Sequence, residues 1–215
     1  MLNKLKVLVA CEYSGIVRDA FKEKGHDAWS CDILPTEAEG NHIQDDILKH
    51  LNKGWDLMIA HPPCTHLAVS GARWFTEGKK DWSLQTKALD FVKKLLDAPI
   101  EKIAIENPVS VISTKIRKPN QTIQPYEFGH NVSKKTCLWL KNLPNLRPTN
   151  WFEFPDAKQK NLFPSKVVVP DIVDINGYKM SRLHYETFKL PTEIRRKIRS
   201  RFFEGIAKAM ANQWG

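Results

Sequence analysis

The chain has 215 residues, 42% of them apolar, and carries 33 Lys and Arg against 24 Asp and Glu for a formal net charge of +9. That length suits one domain, or one with a small appendage, and supports a core without disulfide staples. The composition excludes a disordered chain, no apolar run is long enough to cross a bilayer, and the positive charge points to a polyanion, nucleic acid first.

Leu5 to Ala10 reads as a first strand, followed by Ser14 as the cap of a helix with Val17, Ala20 and Phe21 at helical spacing and Gly25 at its end. Asp27 to Cys31 reads as a second strand ending at Asp32, and Asp45-Asp46 opens a short helix through Leu51. A short apolar run over 56–60 has the look of a buried parallel strand. Residues 66–82 read as a long loop. Ser83 is placed to cap a helix with Leu84, Ala88, Phe91, Val92, Leu95 and Leu96 on one face. A further strand covers 102–106. This alternation predicts an α/β fold, a Rossmann-like doubly wound sheet with right-handed crossovers. Ile123–Phe128 and Thr136–Leu140 are expected to form an antiparallel edge. The proline-bearing stretch 142–180 reads as a small irregular insert, and Thr192 to Trp214 as two helices broken at Gly205. The expected organisation is thus 1–141, 142–180 and 181–215, with the last part packing back on the first.

Cys64 lies in Ala60-His61-Pro62-Pro63-Cys64-Thr65, directly after the strand at 56–60. Two prolines force the backbone out of the sheet, which presents the thiol on a stiff turn at the carboxyl edge where open α/β sheets place ligands. Glu106-Asn107-Pro108 ends the next apolar run in the same setting. A nucleophile and a carboxylic acid at two strand ends form a candidate catalytic pair. His61 and His66 flank the thiol as local hydrogen-bonding residues able to tune it. The four cysteines, Cys11, Cys31, Cys64 and Cys137, lack the paired spacing of a zinc site, so no metal is expected, and a reducing cytoplasm fits them best.

These residues resemble the DNA (cytosine-5) methyltransferases. Pro63-Cys64-Thr65 with Ser70-Gly71 resembles the family's nucleophile motif and mobile loop, with Thr65 where glutamine is usual, and Glu106-Asn107-Pro108 is similar to its Glu-Asn-Val. Tyr13-Ser14-Gly15 resembles its Phe-Ala-Gly cofactor turn, with Val17 and Arg18 in place of further glycines. Asp32-Ile33 stands where the acidic ribose-binding residue is expected, and Asp46-Ile47 resembles the step that contacts adenine. Gly205-Ile206-Ala207 resembles the closing motif without its asparagine. The resemblance implies S-adenosylmethionine as cofactor, held by Tyr13, Ser14, Gly15, Asp32, Ile33, Asp46, Ile47 and Pro63. It implies Cys64 as the thiolate that adds to carbon 6 of a flipped-out cytosine, Glu106 as the group serving ring nitrogen 3, and Asn107 as its positioner. Thr65, Ser70, Gly71 and Arg73 would close over the target. Lys134 and Lys135 lie where the family carries an arginine-rich motif.

The insert stands in place of the family's target recognition domain and is far shorter, which predicts low sequence specificity on DNA. A monomer is the expected state. Two other readings stay open: an amino-methyltransferase, whose Pro-Pro pair is normally preceded by Asp, Asn or Ser rather than His61, and a non-catalytic relative that binds cofactor or nucleic acid. RNA or nucleotides are alternative substrates.

Overall fold

The computed structural model describes residues 3–149, 172–175 and 178–215. Seven strands form one sheet: β1 (Lys6–Ala10), β2 (Asp27–Asp32), β3 (His42–Gln44), β4 (Leu57–Ala60), β5 (Lys102–Pro108), β6 (Gln121–Ile123) and β7 (Thr136–Lys141). Their order is β3-β2-β1-β4-β5-β7-β6. All neighbours up to β5 pair in parallel, while β7 pairs antiparallel with both β5 and β6. The fold is therefore a mostly parallel, doubly wound α/β sheet with an antiparallel edge, as the sequence predicts. The chain leaves β1 for β2 on one side and reaches β4 on the other, so the order reverses at β1. Open sheets bind ligands at such a switch point.

Strand alternation splits the core into two layers. Val7 and Val9 face helices α1 (Ile16–Glu23) and α7 (Glu204–Trp214), where Phe21, Met210 and Trp214 are buried. Leu8 and Ala10 face the opposite layer with Met58, Trp139 and the buried Val92 and Leu95 of helix α3 (Trp82–Leu96). Buried on both faces, the central strands read as continuous apolar runs because parallel sheets are covered on both sides. Gly25, with φ of 88°, supplies the left-handed turn after α1.

Several local expectations change. The cap of α3 is Asp81, whose carboxylate accepts from Ser83 N, not Ser83 itself. Leu84 faces outward on that helix, and Gln85 takes a buried place instead. The stretch 66–82 is not all loop: a 3₁₀ turn covers Val69–Gly71 and helix α2 covers Arg73–Thr76. Strand β3 is too short and too polar to show a strand period. Residues Pro125–Glu127 form a 3₁₀ turn rather than extending β6, since Pro125 cannot donate to a ladder. Helix α4 (Ile112–Lys115) follows β5.

Residues 142–180 are not wholly irregular. Strands β8 (Ile172–Ile175) and β9 (Tyr178–Ser181) form an antiparallel pair, followed by helix α5 (Arg182–Thr187). The rest of that expected insert, from residue 150 to 171, lies outside the described residues. Helix α6 (Thr192–Ser200) ends before Arg201, and the break falls at 201–203 rather than at Gly205. Gly205 lies in the first turn of α7 for a different reason. A Cβ there would meet the Phe128 carbonyl oxygen and the His130 ring, and Gly205 N donates to His130 Nε2 at 2.9 Å. Its role is close approach of two backbones. Helix α7 packs on α1, so this part of the chain does return to the sheet.

Candidate active site

The carboxyl end of β1 opens into a tight turn. Cys11 takes a φ of 57° and Gly15 a φ of 78°. A non-glycine residue in the left-handed region is uncommon and costs energy that the surroundings must offset. Glu12 supplies the offset. Its buried carboxylate accepts from Val17 N at 2.7 Å, Arg18 N at 3.2 Å and the Ser14 hydroxyl at 3.3 Å. Glu12 therefore satisfies the Val17 and Arg18 amides at the start of α1, where a negative charge also meets the helix dipole, and the Ser14 hydroxyl oxygen accepts from Ile16 N at 3.4 Å. Burial pushes the Glu12 carboxyl up, against the pull of His61 and these backbone donors.

Arg18 is one of the two residues that stand where the resemblance would have further glycines. Its guanidinium is fully buried, pairs with Asp19 at 2.7 Å, and donates to Thr36 Oγ1 and to the carbonyls of Ala38 and Glu39. It straps the 36–40 segment onto α1. Gly15 and Gly40 both approach it so closely that a Cβ on either would stand within 2.8 Å of the guanidinium.

Tyr13, Ser14 and Gly15 form this turn, and Tyr13 and Ser14 line a cleft of about 280 Å³ beside it. Asp32 ends β2, accepts from Leu34 N at 2.9 Å and is pushed up by burial; Ile33 next to it is 74% exposed. Asp46 caps the 3₁₀ turn Ile47–Lys49 by accepting from Leu48 N at 3.0 Å. The Cys11 thiol is driven up by burial and then by the nearby charges of Asp32, Cys31 and Asp46, so these acidic residues converge on the end of β1. Ile47 does not join them. Its side chain is buried in the core layer with Leu8 and Leu51.

The β4 end carries the nucleophile turn. Cys64 opens a 3₁₀ turn, and its carbonyl accepts from Leu67 N and Ala68 N. The residue is exposed, as is Pro63 before it. Desolvation raises the thiol, Glu106 raises it further, and Lys134 opposes both. The turn is laced to the end of β5. Asn107 Nδ2 donates to the Pro62 carbonyl at 2.8 Å, Val69 N to the Val109 carbonyl, and Val111 N to the Leu67 carbonyl. Pairing of β4 with β5 in parallel, Ala60 opposite Ile105, makes the two turns neighbours.

Beyond Cys64, Lys80 Nζ ties down the Thr65 carbonyl at 2.8 Å. Ser70 is exposed, and Arg73 and Lys79 both stand over the Trp74 ring, 4.6 and 4.7 Å from its centre. Phe75 anchors the segment from beneath, buried against Trp82. Gly71 has ordinary backbone geometry and room for a Cβ, so its glycine is not required by this shape.

Glu106 is held by two side chains, one on each carboxylate oxygen. Its Oε2 faces His61 Nδ1 at 3.3 Å and its Oε1 accepts from the Thr136 hydroxyl. Burial would raise this carboxyl, but the contact with His61, the charge of Lys134 and the Thr136 hydrogen bond together bring it below the ordinary value. Lys134 Nζ donates to the Arg199 carbonyl and lies over Phe203. Lys135 points away as an exposed residue whose charge reaches Cys137.

Glu106 and His61 line the same 280 Å³ cleft as Tyr13 and Ser14, closed on its far side by Lys197, Arg201 and Phe202. On its other flank Glu106 borders a second space of only about 20 Å³ with Lys134 and Thr136. Cys64 lines neither. The sequence reading missed Glu12, Thr136, Glu37 and Phe202. Glu12 carried a signal, an acid just before a helix start. Thr136 sits in an apolar strand run without one, and Phe202 was read only as a helix-spacing residue.

No family model and no curated protein matches the chain. Among solved structures it is similar to a candidate DNA modification methyltransferase encoded within a prophage of E. coli, at 14% identity and a TM-score of 0.42. The match covers 64% of this chain and 46% of that chain, less than half of that protein's length. Among the described residues no helix is long and apolar enough to cross a membrane.

Proposed function

We propose that the chain is an S-adenosylmethionine-dependent DNA methyltransferase that modifies carbon 5 of cytosine through a covalent Cys64 adduct. The observation that carries this reading is the lacing of the Pro62-Pro63-Cys64 turn to the Glu106-Asn107 turn, with the Glu106 carboxyl and the Lys134 ammonium both close enough to act on the Cys64 thiol. A nucleophile beside an acid at adjacent strand ends is what addition to a pyrimidine needs.

The residues present fit the cofactor. The cleft beside Tyr13 and Ser14 is rimmed by the Glu37 carboxylate and by Lys197 and Arg201, a set suited to a zwitterionic amino-acid group. Asp32 and the exposed Ile33 lie at the neighbouring strand end, suited to a ribose and a flat ring. When bound, S-adenosylmethionine supplies an electrophilic methyl group. Cys64, as thiolate, forms a bond to carbon 6 while Glu106 delivers a proton to ring nitrogen 3, and carbon 5 gains nucleophilic character. Once carbon 5 has released its proton to solvent water, the sulfur–carbon bond breaks, and nitrogen 3 returns its proton to Glu106. Asn107 holds the Pro62 carbonyl and so fixes the path of the nucleophile turn. The net charge of +9 favours binding to the phosphate backbone.

The test uses DNA containing 5-fluorocytosine, whose carbon 5 cannot release a proton, with labelled S-adenosylmethionine. Wild-type protein is expected to form a denaturation-resistant complex and Cys64→Ser none. Transfer of label to an exocyclic amine, or an undiminished complex with Cys64→Ser, overturns the reading.

A further inference from the structure

His61 is built into the site more deeply than a residue flanking a nucleophile needs to be. Its backbone N–H bonds the Ala10 carbonyl at 2.9 Å, which ties it to the end of β1. Its ring packs on Phe202, with centroids 4.6 Å apart. Nδ1 faces Glu106 Oε2 at 3.3 Å, and the two side chains are only 13% and 15% exposed. Nε2 is buried without a hydrogen-bond partner, although the Glu12 carboxylate interacts with the ring. An ionised carboxylate only accepts, so the hydrogen in the Glu106 contact belongs to Nδ1. Thr136 already donates to the other oxygen.

This arrangement leaves a chemical gap in the proposed reaction. Glu106 has to give up a proton, yet its partners hold it in the ionised form. The group hydrogen-bonded to it that exchanges a proton near neutrality is an imidazole. We propose that His61 is a positioning residue for Glu106, orienting the carboxyl toward the cleft and exchanging one proton with it in each reaction cycle. The inference rests on the cytosine reading above. As the Cys64–carbon 6 bond forms, His61, entering the step as the imidazolium with a hydrogen on each ring nitrogen, passes its Nδ1 proton to Glu106 as the carboxyl hands one to nitrogen 3, and is left as the neutral Nε2–H tautomer. When that bond breaks, the proton returns by the same route, so nothing is consumed. The groups facing the pair are Glu12 from the β1 turn, Lys134 before β7, Cys64 from the β4 turn, and Lys197 and Arg201 across the cleft.

The experiment compares wild type with His61→Ala, His61→Asn and Glu106→Gln. Asn places an amide nitrogen near the position of Nδ1 and keeps the hydrogen bond but cannot carry a proton. The first readout is the carboxyl carbon resonance of Glu106, assigned by its loss in Glu106→Gln and followed against pH. In His61→Ala its titration moves to higher pH; an unmoved titration overturns the inference whether or not the protein transfers methyl groups. The second readout is turnover and cofactor affinity. His61→Ala is expected to lose roughly 10²-fold in kcat, the low end for one positioned proton-transfer group, with cofactor Kd within about twofold. His61→Asn is likewise expected to keep the fold and the cofactor affinity, and it does not recover kcat. Wild-type kcat in His61→Asn overturns proton exchange. Absence of transfer by the wild type on DNA sinks the cytosine reading and with it the catalytic role of His61, while the titration still decides whether the two side chains are linked.

Discussion

The two ends of the cleft are built in opposite ways. At the end of β1, Glu12 and Arg18 bury their charges in a dense set of hydrogen bonds that fix the Cys11–Gly15 turn and the 36–40 strap. At the ends of β4 and β5, the turns are tied by backbone bonds and Asn107, but Cys64 is exposed and the following segment lies over the surface on one buried ring, Phe75. On the proposed reading the first is a preformed seat for the cofactor. The second has what a site needs when it must admit a base swung out of a nucleic acid and close after it. The contrast teaches that burial follows what has to move, not what reacts.

The sharpest way to break that contrast is at Arg18. Arg18→Met removes the guanidinium donors to the strap and leaves the Glu39 carbonyl without its partner, while the Thr36 hydroxyl still donates to the Ala38 carbonyl. The expected loss is about 3 kcal/mol of unfolding free energy, in the range for disrupting a buried polar network, measured by urea denaturation. Gly40→Ala should cost less in the Arg18→Met background than alone, because the Cβ would then have no guanidinium to meet. Additive losses in that cycle would mean that the strap is held by something other than Arg18.

At the other end the expected effect is kinetic. Lys134 pulls both the Cys64 thiol and the Glu106 carboxyl down, so Lys134→Met pushes both up. Less thiolate is then present at neutral pH, and the rising limb of adduct formation against pH moves to the alkaline side. A charge contact of about 1–2 kcal/mol at intermediate dielectric corresponds to roughly tenfold slower adduct formation at pH 7, with the loss recovered as the pH is raised. A uniform loss across the pH range would assign Lys134 to DNA contact alone.

What the sequence made legible followed the same divide. The parallel sheet, its order of alternation and the Cys64 and Glu106 turns were readable, because prolines and apolar runs act locally. The seat at β1 was only half readable. Tyr13, Ser14 and Gly15 were found by pattern, but Glu12 was not, since an acid before a helix is common and only its burial makes it special. Ile47 was misplaced for the complementary reason: it follows Asp46 in the motif, while its side chain points to the core. Thr136 and His61 meet Glu106 only through strand pairing, β7 across β5 and β4 beside it, and no spacing in the chain encodes that contact.

Asp46 offers the finest test, because it has two duties that a sequence motif cannot separate. As the cap of the Ile47–Lys49 turn it needs only an acceptor oxygen for Leu48 N. As a partner for the cofactor's nucleoside end it would also present that oxygen and its charge to the ligand. Asp46→Ala removes both and is expected to cost about 1 kcal/mol of stability, the usual value of a lost cap. Asp46→Asn keeps an acceptor in the same place, so stability should return to within a few tenths of a kcal/mol of wild type. If cofactor affinity measured by calorimetry stays low in Asp46→Asn, the charge serves the ligand. If affinity returns with stability, Asp46 acts through the turn alone, and the preformed seat ends at Asp32.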